Sequence, residues 1–526
     1  MPRIQLRRGT AANWATENPV LAPGEAGVEL DTGKIKVGTG TATWIDLPYS
    51  GGGLAELPGY LDETTLNATY VRPPGTRVGM IPFSAPNTIA AAAVTDLTQR
   101  SLVQLPFDGL EWRLGVRNMS NRSTTAPTTP CTITGVWTGA PQRTTGTATG
   151  QRWNGNIQGA VTQVAGQFAV PTDGSFGWTD WIQSDPIVAG VEKVISWGLT
   201  TPATGTGIAN GNALQGVLAT GAAQASQAVL TDPVIARNSI RLDVVVQYRF
   251  DETVQHGLYV GDSRTISYSQ SRLPLPALVT DVPVSALPHE SWPMTAAAMS
   301  GAAGSNLGVG STTLADWAVN NLHLWDRVPA GEQYDFAVVS LGINGISGGL
   351  NGFSTHMQTI NARLRSMGIG RIWWTTIAPA GYADQYAKLT APAAAGATTL
   401  SLSASPPAGT LLVGSGYNTE DVTVSSVSGT GPYTATLSAG TAYVHTVDEP
   451  ATWNSERWRR VVNALLRQLP DGIAGCVDFE RVLEATPGSP VGDPRLVDSD
   501  GIHYTRAASV EMARSVAAVS SRPLFA

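Results

Sequence analysis

Six histidines stand in the chain, at His256, His289, His323, His356, His445 and His503. A histidine that moves protons works best when a carboxylate fixes its tautomer, and a loop spacing of three brings an Asp and a His close enough to pair. The residues three positions upstream are Thr253, Ala286, Asn320, Phe353, Ala442 and Asp500, so only His503 has the acid. The pair lies in Asp498-Ser499-Asp500-Gly501-Ile502-His503-Tyr504, just ahead of a helical stretch. Such a base needs a hydroxyl to activate. Tyr259-Val260-Gly261-Asp262-Ser263-Arg264-Thr265 reads as a strand that delivers Ser263 at its end. Ligands of open α/β sheets bind beyond the carboxyl ends of the strands. Val339-Ser340-Leu341-Gly342-Ile343-Asn344 brings a side-chain amide to that same rim.

Taken in order, these blocks resemble the SGNH (GDSL-type) esterase family, whose blocks are G-D-S, a glycine, G-x-N and D-x-x-H; all four occur over residues 259–503. The glycine block is best matched by Gly308-Val309-Gly310-Ser311-Thr312-Thr313, with Gly310 ahead of Gly308 as the backbone donor. The resemblance implies that Ser263 attacks an ester carbonyl, that His503 takes its proton and passes it to the leaving alcohol, and that Asp500 holds the imidazole tautomer. It also implies an oxyanion hole built from the N–H groups of Ser263 and Gly310 with the Asn344 amide, and no metal or organic cofactor. Asp262 is expected to shape the loop. The family usually reads G-x-N-D, whereas Gly345 follows Asn344 here, which keeps the amide and removes a polar anchor. A rival nucleophile exists. Gly345-Ile346-Ser347-Gly348-Gly349 fits the G-x-S-x-G elbow of α/β-hydrolases and would make Ser347 the attacking residue, leaving G-D-S unexplained.

The elements that must position these residues fall into a multidomain pattern. Residues 255–526 alternate strand, loop and helix, with Tyr334 to Leu341 and Arg371 to Ile377 as apolar runs of the kind buried on both faces of a parallel sheet. Helices are expected from Thr355 to Met367, Ser455 to Leu469 and Arg506 to Val519. With the resemblance, this is a three-layer, flavodoxin-like α/β domain. Residues 388–449 break the rhythm with short alternating strands and no helix, a β-rich insertion expected to extend or roof the domain. Residues 106–254 carry short strands between turn residues and read as a β-sandwich. Trp112, Trp137, Trp153, Trp178 and Trp181 fall in or near it, as core or, where exposed, as stacking platforms for sugars. Residues 54–105 are read as linker, with Tyr60 to Val71 a short helix or extended segment.

Residues 1–53 read as a small all-β module with tight glycine turns. The run Gly24-Glu25-Ala26-Gly27-Val28-Glu29-Leu30-Asp31-Thr32-Gly33-Lys34-Ile35-Lys36-Val37-Gly38, closed by Trp44-Ile45-Asp46-Leu47-Pro48, resembles the N-terminal modules of bacteriophage tail-fibre and baseplate appendage proteins. That resemblance implies a virion location at the tail tip, baseplate or tail fibre, other tail proteins as partners, and a homotrimer.

Composition narrows the rest. Lys and Arg number 33 against 40 Asp and Glu, a net charge of −7, so no basic face is expected for nucleic acid. No apolar run is long enough for a membrane helix, and Met1 to Arg8 lacks a secretory stretch, so a soluble product without membrane insertion is expected. The two cysteines, Cys131 and Cys476, are too far apart in sequence for a clustered metal site and read as reduced thiols. The reading that joins these strands is a phage tail-associated serine esterase that removes O-acetyl or other short acyl groups from host cell-surface polysaccharide or glycolipid. The alternatives are a non-enzymatic receptor-binding or structural tail protein with a vestigial fold, and a cellular carbohydrate esterase or lipase.

Overall fold

The computed structural model describes residues 7–32, 34–47, 49, 77–91, 95–143, 153–211, 214–237, 240–266, 287–319, 322–346, 349–379, 383–486, 489–498 and 501–520. The chain divides into two compact units, 1–74 and 75–526. The segment Tyr60 to Val71 lies outside the described residues.

In the first unit three short strands, Arg7–Gly9, Ala26–Glu29 and Ile35–Val37, form one sheet. The unit is not all-β. Ala11–Glu17 is helical, started by Thr10, whose hydroxyl accepts from the Asn13 N–H, and stopped by Asn18 in the left-handed conformation. Its one buried residue, Trp14, stacks on Trp44 with ring centroids 4.0 Å apart, and Leu21 and Leu47 complete a small core. A two-turn helix with one apolar anchor gives too little periodicity to read from sequence.

The second unit is organised by a nine-stranded sheet in the order Gly177–Trp178, Glu111–Arg117, Asp243–Phe250, Arg77–Pro82, Ala303–Asn306, His256–Gly261, Phe336–Ser340, Ile372–Thr375 and Gly475–Val477. The last five are parallel and run 2-1-3-4-5 in chain order, the flavodoxin-like arrangement. Alternate residues face opposite sides. Leu258, Val260, Val339 and Trp374 pack under the helices Leu314–Ala318, Gly349–Ser366 and Asn454–Arg467, while Tyr259, Phe336, Val338 and Trp373 pack under Trp292–Met299 and Arg506–Ser520.

The other strands of this sheet are antiparallel beyond Arg77–Pro82. They share an apolar core, including Ile81, Trp112, Val116, Ile195, Trp197, Val244 and Phe250, with a second, seven-stranded sheet. Residues on both sides of position 254 therefore belong to one continuous sheet. Three strands, Arg77–Pro82, Thr88–Ala90 and Thr95–Val103, lie within the stretch read as linker; pairing with distant strands decides their structure, which local composition does not report. Of the tryptophans, Trp112 and Trp153 are core, and Trp178 and Trp181 are half-buried with the Arg113 guanidinium 4.2 and 4.5 Å from their ring centroids.

The stretch 388–449 is the greater part of a six-stranded sheet, ordered Tyr386–Lys388, Pro450–Thr452, Gly409–Val413, Glu420–Ser428, Tyr433–Leu437 and Thr399–Leu402, with a core of its own. Arg457 pairs with Asp421, and the Arg460 guanidinium donates to Gly414 O at 2.6 Å, so the helix that follows holds this sheet in place.

Candidate active site

Ser263 follows the strand His256–Gly261 as the first residue of a one-turn helix, Ser263–Ile266. Being first, its N–H has no partner inside the helix. The turn that delivers it is tight: a Cβ on Gly261 would lie 1.8 Å from Thr265 Oγ1 and 2.8 Å from Ser340 O, so no side chain fits there. Asp262 is buried, and its carboxylate accepts the Arg264 N–H at 2.9 Å, closing the turn. Burial pushes its carboxyl up to about 6, although Arg264 and His503 nearby favour the charged form.

His503 arrives from the other end of the domain. Val497 forms a bridge with Tyr504, and the Asp498 N–H donates to His503 O at 2.8 Å. Arg264 fastens this loop to the turn that carries Ser263. Its Nε donates to Ile502 O at 2.9 Å, and its two terminal nitrogens donate to Ala378 O and Pro379 O at 3.2 and 3.1 Å. Its guanidinium also lies 4.9 Å from the Tyr504 ring centroid. The result is a Ser263 Oγ to His503 Nε2 distance of 3.1 Å, within reach for proton transfer, between two half-buried residues 240 positions apart.

The glycine block lies on the same rim. Gly308 packs against the backbone of Ile266, and its N–H donates to Asn306 Oδ1 at 2.9 Å, so that N–H has an acceptor within the protein. Gly310 faces Ser263: a Cβ built on it would lie 3.9 Å from Ser263 Cβ. Asn344, beyond the strand Phe336–Ser340, donates from Nδ2 to Thr312 O at 3.1 Å, which binds it to the glycine loop and leaves its amide one further hydrogen. Gly345, the departure from G-x-N-D, has φ +76°, a conformation that suits glycine. Asp500 and Ser347 lie outside the described residues, as does Ser499. Arg264 was not picked out from the sequence, because a single arginine after G-D-S carries no pattern.

Among the described residues no group of three or more His, Cys, Asp or Glu could hold a metal ion. No helix among them is long and apolar enough to cross a membrane. Cys131 and Cys476 are free thiols, and burial pushes both up to about 12.

Residues 4–42 match the family model of the major tropism determinant N-terminal domain. No curated protein sequence matches the chain. Among solved structures, the chain is similar to a protein described as lipolytic and of the G-D-S-L family from Desulfitobacterium hafniense DCB-2, at 13% identity, covering 50% of this chain and 99% of that one with a TM-score of 0.29. It is similar to a carbohydrate esterase family 2 enzyme plus carbohydrate binding domain from Corynascus thermopiles (Myceliophthora fergusii), at 10% identity, covering 84% and 98% with a TM-score of 0.29. A third is a mutant of an acetyl-xylooligosaccharide esterase from Geobacillus, at 11% identity, covering 52% and 96% with a TM-score of 0.28.

Proposed function

We propose that the chain is a bacteriophage tail protein whose α/β domain is a serine esterase, acting on O-acetyl or other short acyl esters of host cell-surface glycans during adsorption. The observation that carries the catalytic half is the 3.1 Å approach of Ser263 Oγ to His503 Nε2 at the carboxyl ends of the parallel strands. The virion half rests on the match of residues 4–42 to the tropism-determinant domain.

In the proposed reaction His503 Nε2 accepts the Ser263 hydroxyl proton as Oγ attacks the ester carbonyl. The carbonyl oxygen gains negative charge, and the N–H groups of Ser263 and Gly310 and the remaining amide hydrogen of Asn344 are assigned to receive it. The imidazolium then protonates the leaving sugar hydroxyl, and water, activated by the same histidine, releases the acid from the acyl-serine. Asp500 is assigned the orienting role, and Arg264 keeps the His503 loop against Ser263.

The test is hydrolysis of p-nitrophenyl acetate and butyrate by the purified chain, beside Ser263→Ala and Ser347→Ala. Turnover lost only in Ser263→Ala supports the assignment and directs the search to acetate release from host glycans. Loss in Ser347→Ala alone would move the nucleophile to the elbow sequence, and an inert wild type on both these esters and native host envelope would favour a receptor-binding protein.

A further inference from the structure

The loop that carries Gly310 is not held by its own conformational preferences. Gly310 has no side chain to restrict it, and the next residue, Ser311, has φ +62°, which a non-glycine residue adopts at a cost. It is held from both sides by amides. Asn344 ties Thr312 O, as described above. The other tie comes from the opposite end of the sequence: Asn87 Nδ2 donates to Gly310 O at 3.0 Å and lies 3.5 Å from Ser311 Oγ. A Cβ on Gly310 would sit between the Asn87 amide nitrogen, at 3.4 Å, and Ser263 Cβ, at 3.9 Å. Asn87 and Ser263 thus both border Gly310.

Asn87 is itself anchored. Ser84 Oγ donates to Leu242 O at 2.6 Å and accepts the Val244 N–H at 2.9 Å. Arg327 donates to Ser84 O at 2.5 Å, and the Asn121 backbone and side chain both donate to Pro86 O, at 2.9 and 3.1 Å. Arg327 and Arg117 both pair with the buried Asp243. On its other side Asn87 Oδ1 packs over Gly211, where a Cβ would come within 2.6 Å of it.

Resting on the esterase reading, we infer that Asn87 is a positioning residue for the oxyanion loop, so that strands N-terminal to the α/β domain help set its catalytic geometry. The planar unit fixed through Gly310 O is Gly310–Ser311, and the Gly310 N–H belongs to the unit before it, so the tie acts on that N–H by holding the Gly310 Cα in place beside Ser263. Loss of the tie leaves substrate binding in place and misaligns the oxyanion donor in the transition state.

The experiment compares wild type, Ser263→Ala, Asn87→Ala and Asn87→Asp on p-nitrophenyl acetate, with kcat and KM separated and thermal midpoints recorded. Asn87→Asp keeps the shape and removes the donor to Gly310 O, and it carries the test if Asn87→Ala does not fold. The expected result is a fall in kcat of about 10- to 100-fold in both variants, with KM within about twofold of wild type and thermal midpoints little changed. A kcat within about threefold of wild type in the folded variants, with Ser263→Ala inactive, overturns this inference and leaves the esterase reading standing. A loss that tracks a lowered midpoint overturns it as well, because it marks general destabilisation. An inert wild type overturns the esterase reading and this inference with it.

Discussion

Two serine–histidine pairs lie at opposite ends of the same parallel sheet. Ser263 and His503 meet at 3.1 Å beyond the carboxyl end of the strand His256–Gly261. At that strand's amino end His256 Nε2 lies 2.9 Å from Ser305 Oγ and His256 Nδ1 lies 3.0 Å from Glu332 Oε1. By distance alone the second set is the better Ser-His-acid arrangement. It is also sealed: His256 and Ser305 are 0% exposed, and the other Glu332 oxygen accepts the Val78 N–H at 2.7 Å. Burial holds the His256 imidazole below its ordinary value despite Glu332, so it stays neutral and joins strands. Hydrogen-bond geometry is satisfied in both pairs, and they differ in position on the sheet and in access.

The comparison breaks if the buried pair proves chemically important. Ser263→Ala should lower ester hydrolysis by about 10⁴-fold or more, whereas Ser305→Ala should leave kcat/KM within about twofold. Ser305→Ala should instead lower the unfolding free energy by about 1–3 kcal/mol, measured by denaturant titration, because it removes the hydrogen-bond partner of a buried ring nitrogen.

A smaller effect sharpens the contrast at the other end. The Asp262 carboxyl, raised from 3.8 to about 6, binds its proton more tightly in the folded chain than in the unfolded one. Its contribution favours folding at low pH and is lost as pH rises through about 6. Asp262→Asn, which keeps an acceptor for the Arg264 N–H, should therefore be the more stable protein above pH 6, by about 1–3 kcal/mol, with the advantage vanishing near pH 4. Thermal midpoints of both proteins across that range check the sign.

The sequence reading went furthest where chemistry and periodicity are local. The expected helix from Ser455 is Asn454–Arg467, and the apolar run from Tyr334 contains the buried strand Phe336–Ser340. The ordered blocks single out Ser263 and His503, whose side chains lie 3.1 Å apart. The parts that were not legible depend on distant partners. Arg77–Pro82 is a strand because Asp243–Phe250 and Ala303–Asn306 flank it, and nothing in its Gly- and Pro-bearing sequence announces that. Asn87 and Arg264 act through hydrogen bonds to backbone carbonyls 114 to 238 residues away, which leave no spacing to detect. Choosing between Gly308 and Gly310 needs to know that Asn306 already accepts the first of the two N–H groups.

Labelling with a fluorophosphonate distinguishes Ser263 from the other serines as the one activated for attack. An activated serine oxygen bonds to phosphorus and expels fluoride, and peptide mass spectrometry identifies the residue that carries the adduct. The account predicts a single adduct on the peptide bearing Ser263, absent in Ser263→Ala and retained in Ser305→Ala. An adduct on Ser347 or Ser305, or no adduct on any serine, would contradict it.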